Sequence, residues 1–229
     1  MRKVKLSVFM ALFLVSGKSI AQFSMGLDMV SRKEFFQYND PGNLILPDKF
    51  SHFSYGVFGK YVFENSIFIE SGVYWFSYGE SLNFRPDPAQ IFFFETLSNP
   101  QRFFTIPIRA GYKFDPLSPF SEFINKLNIQ PFVGFATSFN RHIGLKGTET
   151  NQSINNERRT NTYFEGGLGI GYRVFRKIEV MFQYSFLKGN HDFVRREVHY
   201  IGTSGDMVHS TIISDGSARH WLLRFQYNF

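Results

Sequence analysis

Hydrophobic and polar residues alternate along eight segments of this chain. In the last segment, one side of the pattern carries only large apolar residues: Trp221, Leu223, Phe225, Tyr227 and Phe229. The other side is mostly polar and consists of His220, Leu222, Arg224, Gln226 and Asn228. A period of two residues is the side-chain repeat of a β-strand. The other seven segments cover about residues 23–35, 51–63, 66–78, 103–114, 129–141, 162–174 and 178–187.

The lengths of these segments and of their connections favour a membrane barrel. Each predicted strand has about 10 to 13 residues. A tilted transmembrane strand needs about 9 to 11 residues, whereas strands in soluble sheets have a mode of about 5 to 6. Long connections follow the odd-numbered segments, at about residues 36–50, 79–102, 142–161 and 188–216. Short connections follow the second and sixth segments, at residues 64–65 and 175–177.

Alternating long loops and short turns are typical of bacterial outer-membrane barrels. In hydrocarbon every backbone polar group must be paired within the protein, so strands cross only as a closed barrel. The sequence therefore predicts an all-β, eight-stranded antiparallel transmembrane β-barrel. We expect both termini on the periplasmic side and four long loops outside. The connection at 115–128 breaks the rhythm, and its residues 121–127 predict a short helix.

Proline interrupts the fourth segment, in which the apolar positions from Phe104 to Phe114 alternate with Thr105, Arg109 and Lys113. Pro107 has no backbone donor for a sheet ladder. We therefore expect a bulge or a local irregularity at this position.

Residues 1–22 predict a signal peptide for secretion through the Sec pathway. Arg2, Lys3 and Lys5 form a basic start, an apolar run covers residues 6–15, and the sequence Ile-Ala-Gln ends near Gln22. This is the order of regions in a secretory signal. We predict cleavage near Gln22, which leaves residues 23–229 as one barrel domain in the bacterial outer membrane.

The overall charge does not indicate a nucleic-acid partner. The net charge of +6 includes four basic residues of the predicted signal, and their removal leaves 21 basic and 19 acidic residues, or +2. The basic residues form no stripe, so we expect no nucleic-acid binding. The chain has no cysteine, which excludes disulfides. Aromatic residues make up 19% of the chain while its mean hydropathy is −0.17, a combination that alternation explains.

The polar side of the predicted strands carries nearly balanced charges. An eight-stranded barrel is only wide enough inside for its own side chains, and an unpaired buried charge is costly. We therefore predict that these residues pair in the lumen and leave no open pore. The predicted network consists of Asp28, Lys60, Glu70, Arg109, Lys113, Glu165, Arg173, Glu179 and Arg224.

The whole segment after the signal resembles the PorT-like outer-membrane β-barrels of Bacteroidetes-type bacteria. The resemblance depends on the Ile-Ala-Gln end of the signal, on the aromatic last strand, and on the motifs at 104–112 (FTIPIRAGY), 131–135 (PFVGF) and 166–172 (GGLGIGY). It implies an outer-membrane location and recognition of the last strand, from Trp221 to Phe229, by the barrel assembly machinery. Some members are associated with protein secretion, so secretion-system subunits are implied partners. The resemblance implies no particular reaction.

Several residues of the predicted loops suggest chemistry, but solvated loop residues explain them more simply. Ser217 or Ser210 with His220 and Asp215 has the composition of a nucleophile, a base and an orienting acid. This set keeps a cell-surface hydrolase acting on lipid A or protein as an alternative, and a narrow channel is a second alternative. Our main expectation is a non-enzymatic barrel with a structural, binding or secretion-associated role.

No motif predicts a metal or a cofactor. His191, Asp192 and His199 lack a tight metal-ligand spacing. The glycines at 166–171 sit inside a strand pattern with no following helix, so they fail the context of a dinucleotide loop. The basic pair Arg158 and Arg159 lies in a predicted outer loop, where it is a possible contact for lipopolysaccharide phosphates. Membrane lipid and lipopolysaccharide are therefore the expected small-molecule partners.

Overall fold

The computed structural model describes residues 22–46, 51–78, 83–84, 101–115, 124–140, 152–155, 160–192, 194–201 and 205–229. Residues 1–21 of the predicted signal lie outside this part. The strands of the described part are β1 (Gln22–Glu34), β2 (Gln37–Asn39), β3 (Ile45–Leu46), β4 (Ser51–Val62), β5 (Ile67–Tyr78), β6 (Asn83–Phe84), β7 (Gln101–Tyr112), β8 (Leu127–Asn140), β9 (Gln152–Asn155), β10 (Thr160–Arg173), β11 (Ile178–Gly189), β12 (Val194–Ile201), β13 (Met207–Ser214) and β14 (Ala218–Asn228).

Eight long strands close into an antiparallel barrel in the order β1-β14-β11-β10-β8-β7-β5-β4. Closure brings the first and last barrel strands together, with Asp28 opposite Arg224 and Leu27 opposite Phe225. On its other side β1 pairs with β4. Every barrel strand therefore has two neighbours. The predicted eight-stranded antiparallel barrel is confirmed.

The alternation of the sequence matches the two faces of the wall. In β14 the odd-numbered residues from Arg219 to Tyr227 are exposed and the even-numbered ones from Ala218 to Asn228 are buried. Neighbouring rings contact each other on the outer surface, such as Trp221 and Phe182, which stack with 5.4 Å between centroids. Large apolar side chains face outward at every second position, as a lipid-facing wall requires.

The interior accommodates large rings where the facing residue is glycine. A Cβ atom at Gly56 would overlap the ring of Tyr74, and one at Gly167 would overlap the ring of Phe132. Tyr74 and Phe132 are both buried. These two strand glycines therefore give space to aromatic rings inside the barrel.

The ladder between β5 and β7 is interrupted beside Pro107. The pairs Ser71–Ile108 and Tyr74–Thr105 keep one register, and the two positions between them are unpaired. Ser71 Oγ donates a hydrogen bond to the carbonyl of Pro107 at 2.9 Å. Because the register is unchanged, the irregularity is a gap of two missing pairs in the ladder and not a bulge.

One end of the barrel, which we call the turn end, carries the two short turns after β4 and β10 and the longer connection between β7 and β8. Between β4 and β5 the backbone N–H of Ser66 donates to the carbonyl of Phe63 at 3.0 Å. Ser66 has φ of 67°, a left-handed conformation of a tight turn. Between β7 and β8 the structure describes a 3-10 turn, Ile124–Lys126, within the segment 121–127 for which a short helix is predicted. Residues 116–123 of this connection lie outside the described part.

The opposite end, which we call the loop end, carries a second sheet that the sequence pattern did not predict. Strands from three different connections form this loop sheet in the order β2-β13-β12-β9. Ile45 and Ile212 form a small core there, and Phe36 packs against it. Phe36 also packs against the apolar cluster inside the barrel that contains Phe76 and Leu222. One side chain thus links the barrel interior to the loop sheet.

In the part of the chain that the structure describes, no helix combines the length and apolar character needed to cross a membrane.

Candidate functional site

The middle of the barrel holds a group of polar side chains, which we call the central cluster: Asp28, Glu70, Tyr74, Arg109, Glu165 and Arg224. Five different barrel strands contribute them, each at an inward position of the two-residue repeat. All six side chains are buried. The alternation that places apolar residues toward lipid therefore also directs these polar groups toward the barrel axis.

Arg224 binds two carboxylates at once. Its Nε and Nη2 donate to the two oxygens of Asp28, both at 2.8 Å. Its Nη2 also donates to Glu70 Oε1 at 2.8 Å, and its Nη1 contacts Glu70 Oε2. The guanidinium carbon lies 3.6 Å from the centroid of the Phe58 ring. Bidentate charge-assisted hydrogen bonds of this kind are the strong ones.

Arg109 continues the cluster across the lumen. Its Nε and Nη2 donate to the two oxygens of Glu165 at 2.8 and 2.9 Å. Its Nη1 donates to Glu70 Oε1 at 2.9 Å, so Glu70 accepts from both arginines. The Tyr74 hydroxyl donates to Asp28 Oδ2 at 2.5 Å and accepts from Arg109 at 3.1 Å. The ion pairs thus form one continuous network from β1 and β14 to β10.

A second polar layer lies toward the turn end. Lys113 Nζ is 3.5 Å from Glu179 Oε2. Gln130 Nε2 donates to Glu179 Oε1 at 3.3 Å and to Asn128 Oδ1 at 2.6 Å. Lys60 Nζ donates to Gln130 Oε1 and lies 4.5 Å from the centroid of the Phe68 ring. Buried charges here again meet a partner or a ring face.

The structure buries eight of the nine residues of the predicted charge network. They comprise four acids and four bases, each 6% exposed or less: Asp28, Glu70, Glu165, Glu179, Lys60, Arg109, Lys113 and Arg224. Arg173 differs, because it is exposed at the last position of β10. The two-residue repeat gives the side of a strand but not the depth at which a residue lies, so it could not separate Arg173 from the others.

A third group lies near the loop end, and we call it the loop-end cluster: Arg32, Glu34, Tyr163 and His220. The sequence pattern placed only His220 on the polar side of its strand, and the other three residues were not predicted. Arg32 Nη2 lies 2.6 Å from Glu34 Oε1 and donates to the carbonyl of Gly216 at 3.0 Å. Its guanidinium carbon lies 5.5 Å from the centroid of the Tyr163 ring. Extending the two-residue repeat of β1 beyond Val30 would have found Arg32 and Glu34.

The loop-end cluster is less completely paired than the central cluster. Arg32 Nε and Nη1 and His220 Nε2 are buried without a hydrogen-bond partner. The imidazole of His220 stacks on Phe76 with 5.5 Å between ring centroids. Beside His220 and Phe76 lies a cavity of about 10 Å³. That volume holds about one water molecule, so it offers no space for an organic ligand.

The proposed catalytic set is not assembled by the structure. His220 faces the barrel interior, whereas Ser210 Oγ donates to Asp40 Oδ1 at 2.6 Å. Ser217 Oγ accepts from the backbone N–H of Gly189 at 3.1 Å. Activation of a serine requires a base within hydrogen-bond reach. The structure gives each serine a partner other than His220.

Asp215 has a structural role at the turn before β14. Lys188 Nζ lies 2.7 Å from its Oδ2, and the N–H of Ser217 donates to its Oδ1 at 2.8 Å. Although partial burial acts to raise the pKa of Asp215, these hydrogen bonds dominate and hold that pKa below its ordinary value. Asp215 is therefore ionised at neutral pH and fastens the turn.

The remaining loop residues offer little further chemistry. His191 and Asp192 are exposed, and the side chain of His199, like Arg158 and Arg159, lies outside the described part. Among the residues that the structure describes, no three histidine or acidic side chains are grouped so as to hold a metal ion.

The five apolar residues of the last strand, predicted as an assembly signal, share one side of the wall. Trp221, Leu223, Phe225, Tyr227 and Phe229 are all exposed on the outer surface of the barrel. Phe229 packs against Phe23 with 5.6 Å between ring centroids. The outer surface of β14 therefore presents an unbroken apolar stripe.

Comparison with known proteins agrees with this geometry. Residues 19–229 match the model of a family described as outer membrane protein beta-barrel domain. The outer membrane protein OprG from Pseudomonas aeruginosa has a similar structure, with 11% sequence identity, 93% of this chain and 98% of that chain covered, and a TM-score of 0.53. At this identity the likeness shows the fold alone.

Two further solved structures are similar at lower TM-scores. A major outer membrane protein from Thermus thermophilus has 10% identity, with 90% of this chain and 99% of that chain covered and a TM-score of 0.49. Neisserial surface protein A has 15% identity, with 91% and 99% covered and a TM-score of 0.42. No curated protein matches the sequence of this chain.

Proposed function

We propose, because this chain belongs to the outer membrane protein beta-barrel domain family, that it is a non-enzymatic barrel with a binding role at the cell surface. The protein lies in the bacterial outer membrane, where its apolar outer wall contacts membrane lipid. Within this family we infer a closer relation to the PorT-like barrels, which the motifs at 104–112, 131–135 and 166–172 support.

We infer that the loop end faces the outside of the cell and the turn end faces the periplasm. Barrels of this class have short periplasmic turns and longer extracellular loops. The turns at the end of β4 and of β10 are short, whereas the connections from β1 to β4 and from β11 to β14 contain the strands of the loop sheet. The apolar stripe of β14 supports recognition by the barrel assembly machinery.

The central cluster is the observation that carries the proposal, because its buried side chains occupy the middle of the barrel and support a lumen that is closed to solutes. Arg224, Glu70, Arg109 and Glu165 form a chain of ion pairs across the interior. Removing one member would strand a buried charge at a cost of about 3–5 kcal/mol. A barrel whose lumen is closed does not transport solutes, so we infer that its function lies at the surface that the loops form.

The loop sheet is the proposed binding surface. Three connections that are distant in sequence are fixed to one another, for example by the pairing of Tyr38 with Ile212 and of Ile154 with Arg196. Ser210 Oγ donates to Asp40 Oδ1 at 2.6 Å across two of them. A sheet with two edges, β2 and β9, is able to accept a further strand from a partner. We infer a protein partner of the same membrane, and secretion-system subunits are the partners that the PorT-like relation favours.

Affinity purification from the native outer membrane tests this proposal. The tagged wild type is compared with a variant in which residues 194–214, the β12–β13 hairpin, are replaced by a short Gly-Ser linker. We expect specific co-purifying proteins with the wild type and their loss with the variant. A difference in gel mobility before and after boiling controls for an intact barrel in both. A lone barrel with altered lipid A in the producing cells would contradict the proposal and favour the hydrolase.

A further inference from the structure

Three neighbouring barrel strands each carry a basic residue on the outer surface near the loop end. Lys33 belongs to β1, Arg219 to β14 and Lys188 to β11, and we call these three residues the cationic patch. Lys33 and Arg219 are direct partners in the ladder. Arg219 is paired on its other side with Phe186, two residues before Lys188. The three side chains therefore lie side by side on the wall.

The patch lies at the height where hydrocarbon gives way to lipid headgroups. Ten residues separate Phe23 from Lys33 and Phe229 from Arg219. At about 3.3 Å per residue, ten residues extend about 33 Å along a strand. A tilt of about 40° reduces this to about 25 Å along the barrel axis, which matches the usual apolar band. The ring of Trp221, which contacts the rings of Phe182 and Tyr184, lies just below the patch.

The charges of the patch are only partly neutralised by the protein. Among the residues that the structure describes, no carboxylate pairs with Lys33 or Arg219, while Lys188 pairs with Asp215. Like charges directly opposite each other on two strands are destabilising. Arg219 is held over the ring of Phe35, with 5.3 Å from its guanidinium carbon to the centroid. Within the described residues, Lys33 and Arg219 thus form a pair of facing cations with no carboxylate of their own, which an anion could neutralise.

We propose that the cationic patch binds the phosphate groups of a glycolipid in the outer leaflet of the membrane. Arginine binds phosphate through paired donors, and lysine adds a point charge. At the height of the lipid headgroups the patch lies next to their phosphates, and the rings of Trp221, Phe182 and Tyr184 below it contact the acyl chains. This inference depends on the proposed orientation, with the loop end outside. It places the lipid site on the barrel wall, not at Arg158 and Arg159 in a loop.

Titration of the refolded full barrel in detergent micelles tests the patch. The probes are bisphosphorylated lipid A and the same lipid after removal of its phosphates, and native mass spectrometry reads the bound fraction. Near an anionic lipid surface each basic residue contributes about fivefold in affinity. We therefore expect the double variant Lys33→Gln/Arg219→Gln to bind bisphosphorylated lipid A about thirtyfold more weakly. Both proteins should bind the dephosphorylated lipid equally weakly.

A matched control removes two charges at the other end of the barrel. Arg176 and Lys177 are exposed in the turn between β10 and β11. The double variant Arg176→Gln/Lys177→Gln should bind bisphosphorylated lipid A as the wild type does. Unchanged binding by Lys33→Gln/Arg219→Gln, or an equal loss of affinity in the two double variants, would overturn the proposed lipid site. Gel mobility before and after boiling shows that each variant has refolded.

A separate measurement distinguishes failure of the patch from failure of the proposed orientation. A peptide tag inserted at Gly205, which is exposed at the loop end, should be reached by antibody on intact cells. A tag that is reached only after the outer membrane is opened would refute the orientation. It would also overturn the outer-leaflet glycolipid as the occupant, whereas a patch that fails in micelles leaves the orientation standing.

Discussion

The central cluster and the loop-end cluster occupy the same barrel but differ in how completely their charges are paired. Arg224 and Arg109 of the central cluster each bind two carboxylates. Arg32 of the loop-end cluster has one carboxylate partner, and its Nε and Nη1 have no hydrogen-bond partner. The difference indicates that the buried arginines are fully paired in the middle of the barrel, and that incomplete pairing marks the end that connects to the loops.

Removing Arg224 should be the most damaging change. Arg224→Met would leave the carboxylates of Asp28 and Glu70 buried with one fewer cation, which costs about 3–5 kcal/mol in unfolding free energy. Urea unfolding in lipid vesicles measures this loss. Arg173→Met is the matched control, since Arg173 is exposed, and its effect should stay within about 0.5 kcal/mol. Similar losses for the two variants would contradict the central role of the cluster.

Removing Arg32 should have a smaller effect in the same assay. Arg32→Met deletes the ion pair with Glu34 and the hydrogen bond to the carbonyl of Gly216. Because two of its three guanidinium nitrogens already lack partners, we expect a loss of about 2 kcal/mol. A loss as large as that of Arg224→Met would remove the distinction between the clusters.

A substitution at Gly216 tests how tightly the loop-end cluster is packed. Its φ is +77°, and a Cβ there would overlap the ring of Tyr163. Gly205 has φ of +85° with open space around it, so it isolates the conformational cost. We expect Gly205→Ala to cost about 1 kcal/mol and Gly216→Ala about 2 kcal/mol. Equal unfolding free energies for the two variants would show that Tyr163 does not confine this turn.

The smallest expected effect is the change with pH in the contribution of Asp215 to the free energy of unfolding. The pKa of Asp215 is lower in the folded protein than in the unfolded chain, whose value is near 3.8. Its contribution to stability is therefore fully present above about pH 4 and is lost as the pH falls through the folded pKa. The difference in unfolding free energy between the wild type and Asp215→Asn should be constant from pH 7 to 5. It should shrink below pH 4, and a difference that grows there would contradict this assignment.

The barrel could be predicted because lipid imposes one rule along every strand. Outward positions must be apolar over the whole crossing, so the two-residue repeat survives in each segment. The same rule directs Asp28, Arg109 and Arg224 inward. Which acid pairs with which base does not follow from the repeat, since it depends on register and strand tilt around the closed wall.

The loop sheet could not be predicted because no such rule acts on it. The more buried side of β13 mixes serine with apolar residues, in the order Val208, Ser210, Ile212 and Ser214, and β2 has only three residues. The pairing of Asn39 with Thr211 joins residues from opposite ends of the sequence. Closure of β1 against β14 brings these two loops together, so their pairing is a consequence of the barrel and not of a local pattern.

Arg32 and Glu34 were missed for a related reason. They belong to the run Ser31-Arg-Lys-Glu34, which has the composition of a loop boundary. They are buried because the two-residue repeat of β1 continues through Glu34. Arg32 is also covered by the rings of Phe76 and Phe103, whose centroids lie within 5.3 Å of its guanidinium carbon. A charged strand end is thus hard to distinguish from the start of a loop.

Ion conductance through the purified protein in planar lipid bilayers tests the central claim most directly. The claim is that the ion pairs of Arg224, Glu70, Arg109 and Glu165 close the lumen. Refolded wild-type barrel, verified by its gel mobility before boiling, should insert without any steady conductance above that of the bare bilayer. A steady conductance that scales with the number of inserted barrels and with salt concentration would contradict the claim.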